Sequence, residues 1–358
     1  GAGTLNNEDS LIDPSTSDND VLNATVIALV SPTLQNIETI NLTVNKADAG
    51  LNFANVLGAK TVTLTGSANA RLTNIDATDA PIIEVKNYTK VATLDAVTLA
   101  GTKDALTVKV SGMTGSATVI PGITLAAGTG GALETLNLES AGTTKNTVAL
   151  TAGTTVSALN KIVITGDADL DLRVAHSLIN GQTLDASGHN GALNLIVDRN
   201  DAGTATTNLT NVSGYDTLTV LDSTAGSDAL KLSGVTTGST IVLASGFTGE
   251  SSISVKGAAS RTNDTLTLVL DHSTDATDID VCGSNNFTIV DVETLIIKSE
   301  GGTSAGNKIQ QLVVSAGSAL VIDGSTKLDV GLVTSSQVST ITLKGSGNHK
   351  VEIGRAHV

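Results

Sequence analysis

Leu133-Glu134-Thr135-Leu136-Asn137-Leu138 ends in a strict apolar and polar alternation, the period-two pattern that places one set of side chains on a buried pleat and the other in solvent. The phrase returns with variation as Ile37-Glu38-Thr39-Ile40-Asn41-Leu42 and Val292-Glu293-Thr294-Leu295-Ile296-Ile297. Looser echoes are Tyr215-Asp216-Thr217-Leu218 and Val338-Ser339-Thr340-Ile341. The intervals between copies are irregular, so the chain is not a strict array of identical modules. Degenerate rungs separated by loops of variable length describe a β-solenoid, in which each coil buries its apolar face only by stacking on its neighbours.

Outward from these phrases the same text continues. Thr61-Val62-Thr63-Leu64-Thr65, Leu106-Thr107-Val108-Lys109-Val110, Lys161-Ile162-Val163-Ile164-Thr165, Thr217-Leu218-Thr219-Val220 and Thr340-Ile341-Thr342-Leu343-Lys344 are short β-branched runs bounded by Gly, Ser, Asn and Asp. Helical periodicity is confined to single turns near residues 51–57 and 156–160. The fold class is therefore all-β, an irregular and elongated β-solenoid-like repeat, with tandem β-sandwich domains as the alternative. Only 1% of the 358 residues are aromatic, with three Phe, two Tyr and no Trp. Stacked Val, Leu, Ile and Ala fill a narrow solenoid lumen well, whereas a sandwich core recruits large anchors. Coils of roughly 20 to 24 residues would give some fifteen rungs, at about 4.8 Å per step.

Three stretches follow from this reading. Residues 1–36 form an N-terminal segment with an acidic Asp/Asn loop, and residues 37–351 form the repetitive region. Residues 352–358 read as a translated sequencing adapter: Ile353-Gly354-Arg355-Ala356-His357-Val358 corresponds to ATC GGA AGA GCA CAC GTC, and the preceding AG completes a Glu352 codon. The opening Gly1-Ala2-Gly3 lacks an initiator Met and a leader, so the sequence reads as an internal piece of a longer protein.

Composition excludes several classes. A formal net charge of -15 opposes phosphate binding, so nucleic acid is not an expected partner. No apolar run approaches the roughly 18 residues of a spanning helix, so no membrane insertion is expected. One cysteine, Cys282, cannot build an intrachain disulfide framework and reads as a small buried residue.

The acidic residues are 26 Asp and nine Glu, a bias toward tight loops. Turn formation accounts for many of them. Where several oxygens converge, Ca²⁺ is the sharper expectation, because it takes six to eight oxygen ligands and glycine-rich loops expose carbonyls. The metal candidates are Asp18, Asn19 and Asp20; Asp198 and Asp201, with Asn200 between them; Asp222 and Asp228; Asn263 and Asp264; and Asp271, Asp275, Asp278 and Asp280. Asp167, Asp169 and Asp171 would share one strand face, most simply a solvated one. No catalytic residue stands out: there is no G-x-S-x-G elbow, no short His/Cys zinc spacing and no carboxylate pair marked as acid and base. Gly128-Thr129-Gly130-Gly131 is too short for a phosphate loop, and the histidines read as surface residues.

Gly3-Thr4-Leu5 through Asp9-Ser10-Leu11-Ile12-Asp13, then Ser17-Asp18-Asn19-Asp20-Val21-Leu22-Asn23, together with Thr183-Leu184-Asp185-Ala186-Ser187-Gly188 and Asn263-Asp264-Thr265-Leu266, resemble RTX-type S-layer proteins and related calcium-binding surface proteins. The nonapeptide Gly-Gly-x-Gly-x-Asp-x-apolar-x is absent. The resemblance implies a non-enzymatic structural protein exported by type I secretion to the surface of a Gram-negative bacterium. It implies Ca²⁺ as cofactor, self-association into a surface lattice, and attachment to lipopolysaccharide through regions outside this sequence. The alternative is the repetitive stalk of a type I secreted RTX adhesin or enzyme whose functional domain lies elsewhere.

Overall fold

A computed structural model describes residues 3–97, 104–115, 120–127, 133–153, 159–200, 202–222, 229–257, 262–272, 278–301, 306–314, 319–334, 338 and 340–353. The chain is a β-solenoid of about 13 turns, 58% strand and 2% helix. It forms two compact units, Gly1–Arg173 with Gln182–Leu193, and Val174–Gly181 with Asn194–Val358.

In the first unit one face is a parallel sheet that runs Val21–Val26, Thr39–Val44, Thr61–Gly66, Ile82–Lys86, Ala105–Ser111, Thr135–Ala141, Lys161–Gly166 and Thr183–His189. A second face runs Leu29–Val30, Ala49–Asn52, Ala70–Asp76, Val91–Val97, Gly122–Ala127 and Asn146–Ala152. Three short strands, Ser10–Ile12, Thr33–Gln35 and Val56–Leu57, make a third. In the second unit one face is Thr217–Leu221, Thr240–Leu243, Thr265–His272, Thr294–Gly301, Ala319–Gly324 and Thr340–Leu343. The other includes Lys231–Val235, Ser251–Val255, Phe287–Val290, Asn307–Val314, Leu328–Thr334 and Lys350–Ile353.

Every described ladder is parallel, which excludes the tandem sandwich, whose neighbouring strands run antiparallel. Pairing is also in register, so like stacks on like. Ile40 and Leu42 lie against Val62 and Leu64, and Leu106 and Val108 against Leu136 and Leu138, all at most 1% exposed. Outward positions carry matched polar neighbours instead. Asn41 Nδ2 donates to Asn23 Oδ1 at 2.8 Å, and the hydroxyls of Thr124 and Thr151 lie 2.9 Å apart. Coil length is less regular than the expected 20 to 24 residues. Val21 pairs with Thr39, 18 residues on, while Ala105 pairs with Thr135, 30 residues on.

The recurring Glu-Thr phrase has a structural purpose. Glu38 Oε2 accepts the backbone N–H of Asp20 at 3.0 Å, Glu134 Oε2 that of Asp104 at 2.8 Å, and Glu293 Oε2 that of Asp264 at 2.7 Å. The carbonyls of the same three Asp residues accept from Thr39, Thr135 and Thr294, each at 3.0 Å. Each glutamate therefore reaches one coil back and satisfies a donor that the strand ladder leaves open at the corner.

A second repeated device closes the other end of these strands. Asn146 is 0% exposed; its Oδ1 accepts from Met113 N–H at 3.0 Å, and its Nδ2 donates to Ser140 Oγ at 2.9 Å and Ala141 O at 3.0 Å. In the second unit Asn307, also 0% exposed, accepts from Ile279 N–H at 2.9 Å and donates to Ser299 Oγ at 2.9 Å and Glu300 O at 3.3 Å. On the next coil Gly166 stacks on Ser140 and Gly324 on Ser299. Both glycines have positive φ, +100° and +120°, and a Cβ there would stand 2.1 and 2.2 Å from the serine carbonyl below. The two units thus contain one corner design built twice.

The helical turn expected near residues 51–57 is the 3-10 turn Phe53–Asn55, capped by Asn52 Oδ1 on Ala54 N–H at 3.0 Å. The turn expected at 156–160 lies mostly outside the described residues. A four-residue helix, His176–Ile179, was not signalled by any periodicity. In the N-terminal 36 residues, Val21–Val26 already pairs in register with Thr39–Val44; at the other end, Lys350–Ile353 pairs with Leu328–Thr334.

Asn146→Leu should lower unfolding stability by about 3 kcal/mol, since it strands several buried backbone groups at roughly 1 to 3 kcal/mol each. Asn307→Leu should cost a similar amount, and Asn41→Ala on the outer ladder less than about 1 kcal/mol. Urea denaturation of the three variants measures this ordering.

Candidate metal centre

The structure gathers three carboxylates at the first coil. Ser10–Ile12 pairs with Thr33–Gln35, and Asp13 N–H extends the ladder by donating to Gln35 O at 3.1 Å. Asp13 Oδ2 then accepts from Ser15 N–H at 2.8 Å, an Asx turn around Pro14 that reverses the chain. Asn36 Nδ2 donates to Asp13 O at 2.8 Å and fixes the turn from the next coil. At the far side of the loop, Asp20 is held by Glu38 and Thr39 as described above. Asp13, Asp18 and Asp20 each offer a carboxylate oxygen, and these lie within 4.8 Å of one another. Asp13 and Asp20 are half-buried and Asp18 is exposed; Asn19 is exposed at the tip between them.

The electrostatics follow from that spacing. Burial, followed by the negative charges of Asp13, Asp18 and Glu38, raises the Asp20 carboxyl above its ordinary value. A cation between the three would reverse this, since opposite charge favours the ionised form. Two oxygens at about 2.4 Å on opposite sides of one Ca²⁺ are about 4.8 Å apart, so the group fits a single coordination shell. The donors are all hard oxygens, which suits Ca²⁺ over softer transition metals. Asp13, Asp18 and Asp20 would hold the ion, leaving further positions for carbonyls or water.

The other candidate residues are dispersed, or lie partly outside the described residues. Asp198 Oδ1 accepts from Asn200 N–H at 3.1 Å within its own turn, and Asp201 is not described. Asp222 is buried, with its backbone N–H on Ser245 Oγ at 3.1 Å; Asp228 is not described. Asn263 is exposed beside Asp264, whose backbone is the partner of Glu293. Asp271 stands opposite Glu300, and Asp280 opposite Lys308. Asp278 and Asp280 flank inward-facing Ile279, and Asp275 is not described. Among the described residues, no other three acidic, His or Cys groups converge as Asp13, Asp18 and Asp20 do.

Two further expectations need correction. Asp167, Asp169 and Asp171 do not form a shared strand face, because the first two precede strand Leu170–Ala175. Asp167 Oδ1 accepts from Asn190 Nδ2 at 2.8 Å, Asp169 Oδ1 accepts from Ala192 N–H at 2.8 Å, and Asp171 pairs with Lys145 at 2.6 Å. His176 is not a surface residue. It is 6% exposed, with Nδ1 2.8 Å from the hydroxyl of buried Thr207, which also receives the guanidinium of fully buried Arg199. Arg199 further donates to the carbonyls of Ala205, Ala229 and Lys231 at 2.7, 2.8 and 3.0 Å, and so ties its loop to the neighbouring coil. Cys282 is buried as expected, and burial pushes its thiol up to about 11. Gly128–Gly131 lies outside the described residues.

The chain matches no protein-family model, no curated protein and no solved structure.

Calorimetric titration with Ca²⁺ at neutral pH should show a site that disappears in the variant Asp13→Asn, Asp18→Asn, Asp20→Asn. Asn retains the turn-forming oxygens but removes the charge. Binding should weaken as pH falls, because protons compete for the same carboxylates.

Proposed function

We propose that this chain is a structural segment of a calcium-stabilised bacterial surface coat of the S-layer type. The observation that carries the reading is the stack of in-register parallel coils joined, at its first coil, to the Asp13, Asp18 and Asp20 oxygen cluster. Such a stack offers broad faces of Thr, Asn and Asp for lateral contacts, and each face repeats the same chemistry from coil to coil. Its acidic excess, -15 overall, opposes close packing of copies unless cations neutralise it. Calcium is abundant outside cells and scarce inside, so assembly by this route would be confined to the surface. The resemblance of the opening segment to RTX-type S-layer proteins supports the same assignment, with type I secretion and a lipopolysaccharide anchor supplied by other parts of the protein.

An ion that binds only the folded coils stabilises them by about 2.7 kcal/mol per site when free calcium is one hundred times the dissociation constant. Millimolar Ca²⁺ should therefore raise the melting temperature and slow proteolysis relative to chelator. Mg²⁺ should substitute poorly, because it holds its water and demands a stricter octahedron. The full-length protein should form ordered two-dimensional arrays in calcium and disperse in chelator under the electron microscope. Dispersed molecules at every calcium concentration overturn the coat reading and favour the stalk of a secreted adhesin or enzyme.

A further inference from the structure

The three Asp and Glu corners are alike in backbone but not in charge. In register, Asp20 and Glu38 are followed by Lys60, whose Nζ lies 3.8 Å from Glu38 Oε1. In the equivalent column, Asp104 and Glu134 are followed by Asn160, which brings no charge. On the coil below, Ala105 N–H donates to Ala77 O, which sets the Asp76 to Asp79 turn directly beneath Asp104. Asp76 is itself occupied in that turn, accepting from Thr78 N–H at 2.9 Å and from its hydroxyl at 2.7 Å. Asp104 is 3% exposed, and the negative charges that act on it are Glu134 from above and Asp76 from below. Lys161, one step along the next strand, is exposed, and its charge acts on Asp185. The Asp104 Oδ2 atom is buried and accepts no hydrogen bond among the described residues.

A buried carboxylate oxygen whose neighbours among the described residues are acidic is costly when ionised, and protonation removes the charge and turns that oxygen into a donor facing the neighbouring carboxylates. Among the described residues, the Asp104 and Glu134 groups belong to no set of three acidic, His or Cys groups close enough for a shared metal ion. We propose that Asp104 is a proton-operated latch between adjacent coils: protonated, it closes the Asp76, Asp104 and Glu134 corner; ionised, it loosens it.

Burial first, then the charges of Glu134 and Asp76, raises the Asp104 carboxyl above its ordinary value. An unfolded Asp loses its proton near pH 3.9, so at pH values just above that the folded chain holds a proton that the unfolded chain has released. Stability at this corner is therefore gained as pH falls through the raised value and lost as pH rises through it. Asp185 works in the opposite sense, its carboxyl lowered by the hydrogen bonds from Ser187.

Carbon-detected NMR of the side-chain carboxyl, assigned by its absence in Asp104→Asn, should place the Asp104 titration above that of a free Asp. Glu134→Gln, which keeps an oxygen for Asp104 N–H, should move it down. Asp104→Asn should melt higher than wild type at pH 7, by about 2 °C for each half to one kcal/mol gained in a unit of this length, and the difference should shrink as pH falls toward 4. An Asp104 titration at or below the ordinary value overturns the latch, as does one that Glu134→Gln leaves in place. Melting curves of Asp104→Asn that run parallel to wild type from pH 4 to 7 overturn its role in coil stability.

Discussion

Parallel, in-register stacking at about 4.8 Å per coil is the constraint on which the rest depends. Under it, each side chain's nearest neighbours are the residues at the same position one coil above and below. A position can therefore hold only what tolerates its own kind. Aliphatic residues do, which is why the Ile40, Val62 and Ile83 column is buried throughout. Thr and Asn do, because their hydroxyls and amides both donate and accept. Carboxylates do not, and where they recur something must intervene. Lys60 beside Glu38, Lys109 at 3.1 Å from Glu139 and Lys145 on Asp171 are three such interventions.

That constraint also explains what could be read from the sequence. Period-two alternation within Thr39–Val44 or Thr135–Ala141 is local, and the structure repeats it as alternating buried and half-buried residues. The recurrence of Glu-Thr was legible as a repeat, but its partner was not, because Asp20, Asp104 and Asp264 lie 18, 30 and 29 residues before their glutamates. A fixed period would have aligned them. Asp13 escaped notice for a similar reason: it is separated from Asp18 by the turn at Pro14, and only the folded loop makes them neighbours. Asp278 and Asp280 show the converse, since closeness in sequence places them on either side of inward-facing Ile279 without gathering them with Asp271.

Buried polar residues were the least legible part. Asn146, Asn307, His176 and Arg199 all look like surface residues by type, yet each is at most 6% exposed. Their common setting is a corner or a loop between coils, where the strand ladder stops and backbone groups lose their partners. A side chain with both donor and acceptor, or a guanidinium with five donors, satisfies several of those groups at once. Variable loop length follows from this, because the corner is closed by a side chain and not by a fixed turn. The Ser140 to Asn146 and Ser299 to Asn307 corners differ in loop length and still make the same contacts.

The two acidic corners differ in the cation that suits each. The Asp13, Asp18 and Asp20 group is partly open to water and holds three oxygens at a spacing that one ion can span. Water access lets an ion exchange, and the number of oxygens makes a single proton a poor neutraliser. Asp104 is closed to water, and the glutamate above it is already committed to a backbone donor. There the smallest cation is the one that fits. A chain with 35 acidic residues against 20 basic ones offsets some carboxylates by lysine and, on the two proposals made above, others by metal or by proton, according to how deeply each corner is buried.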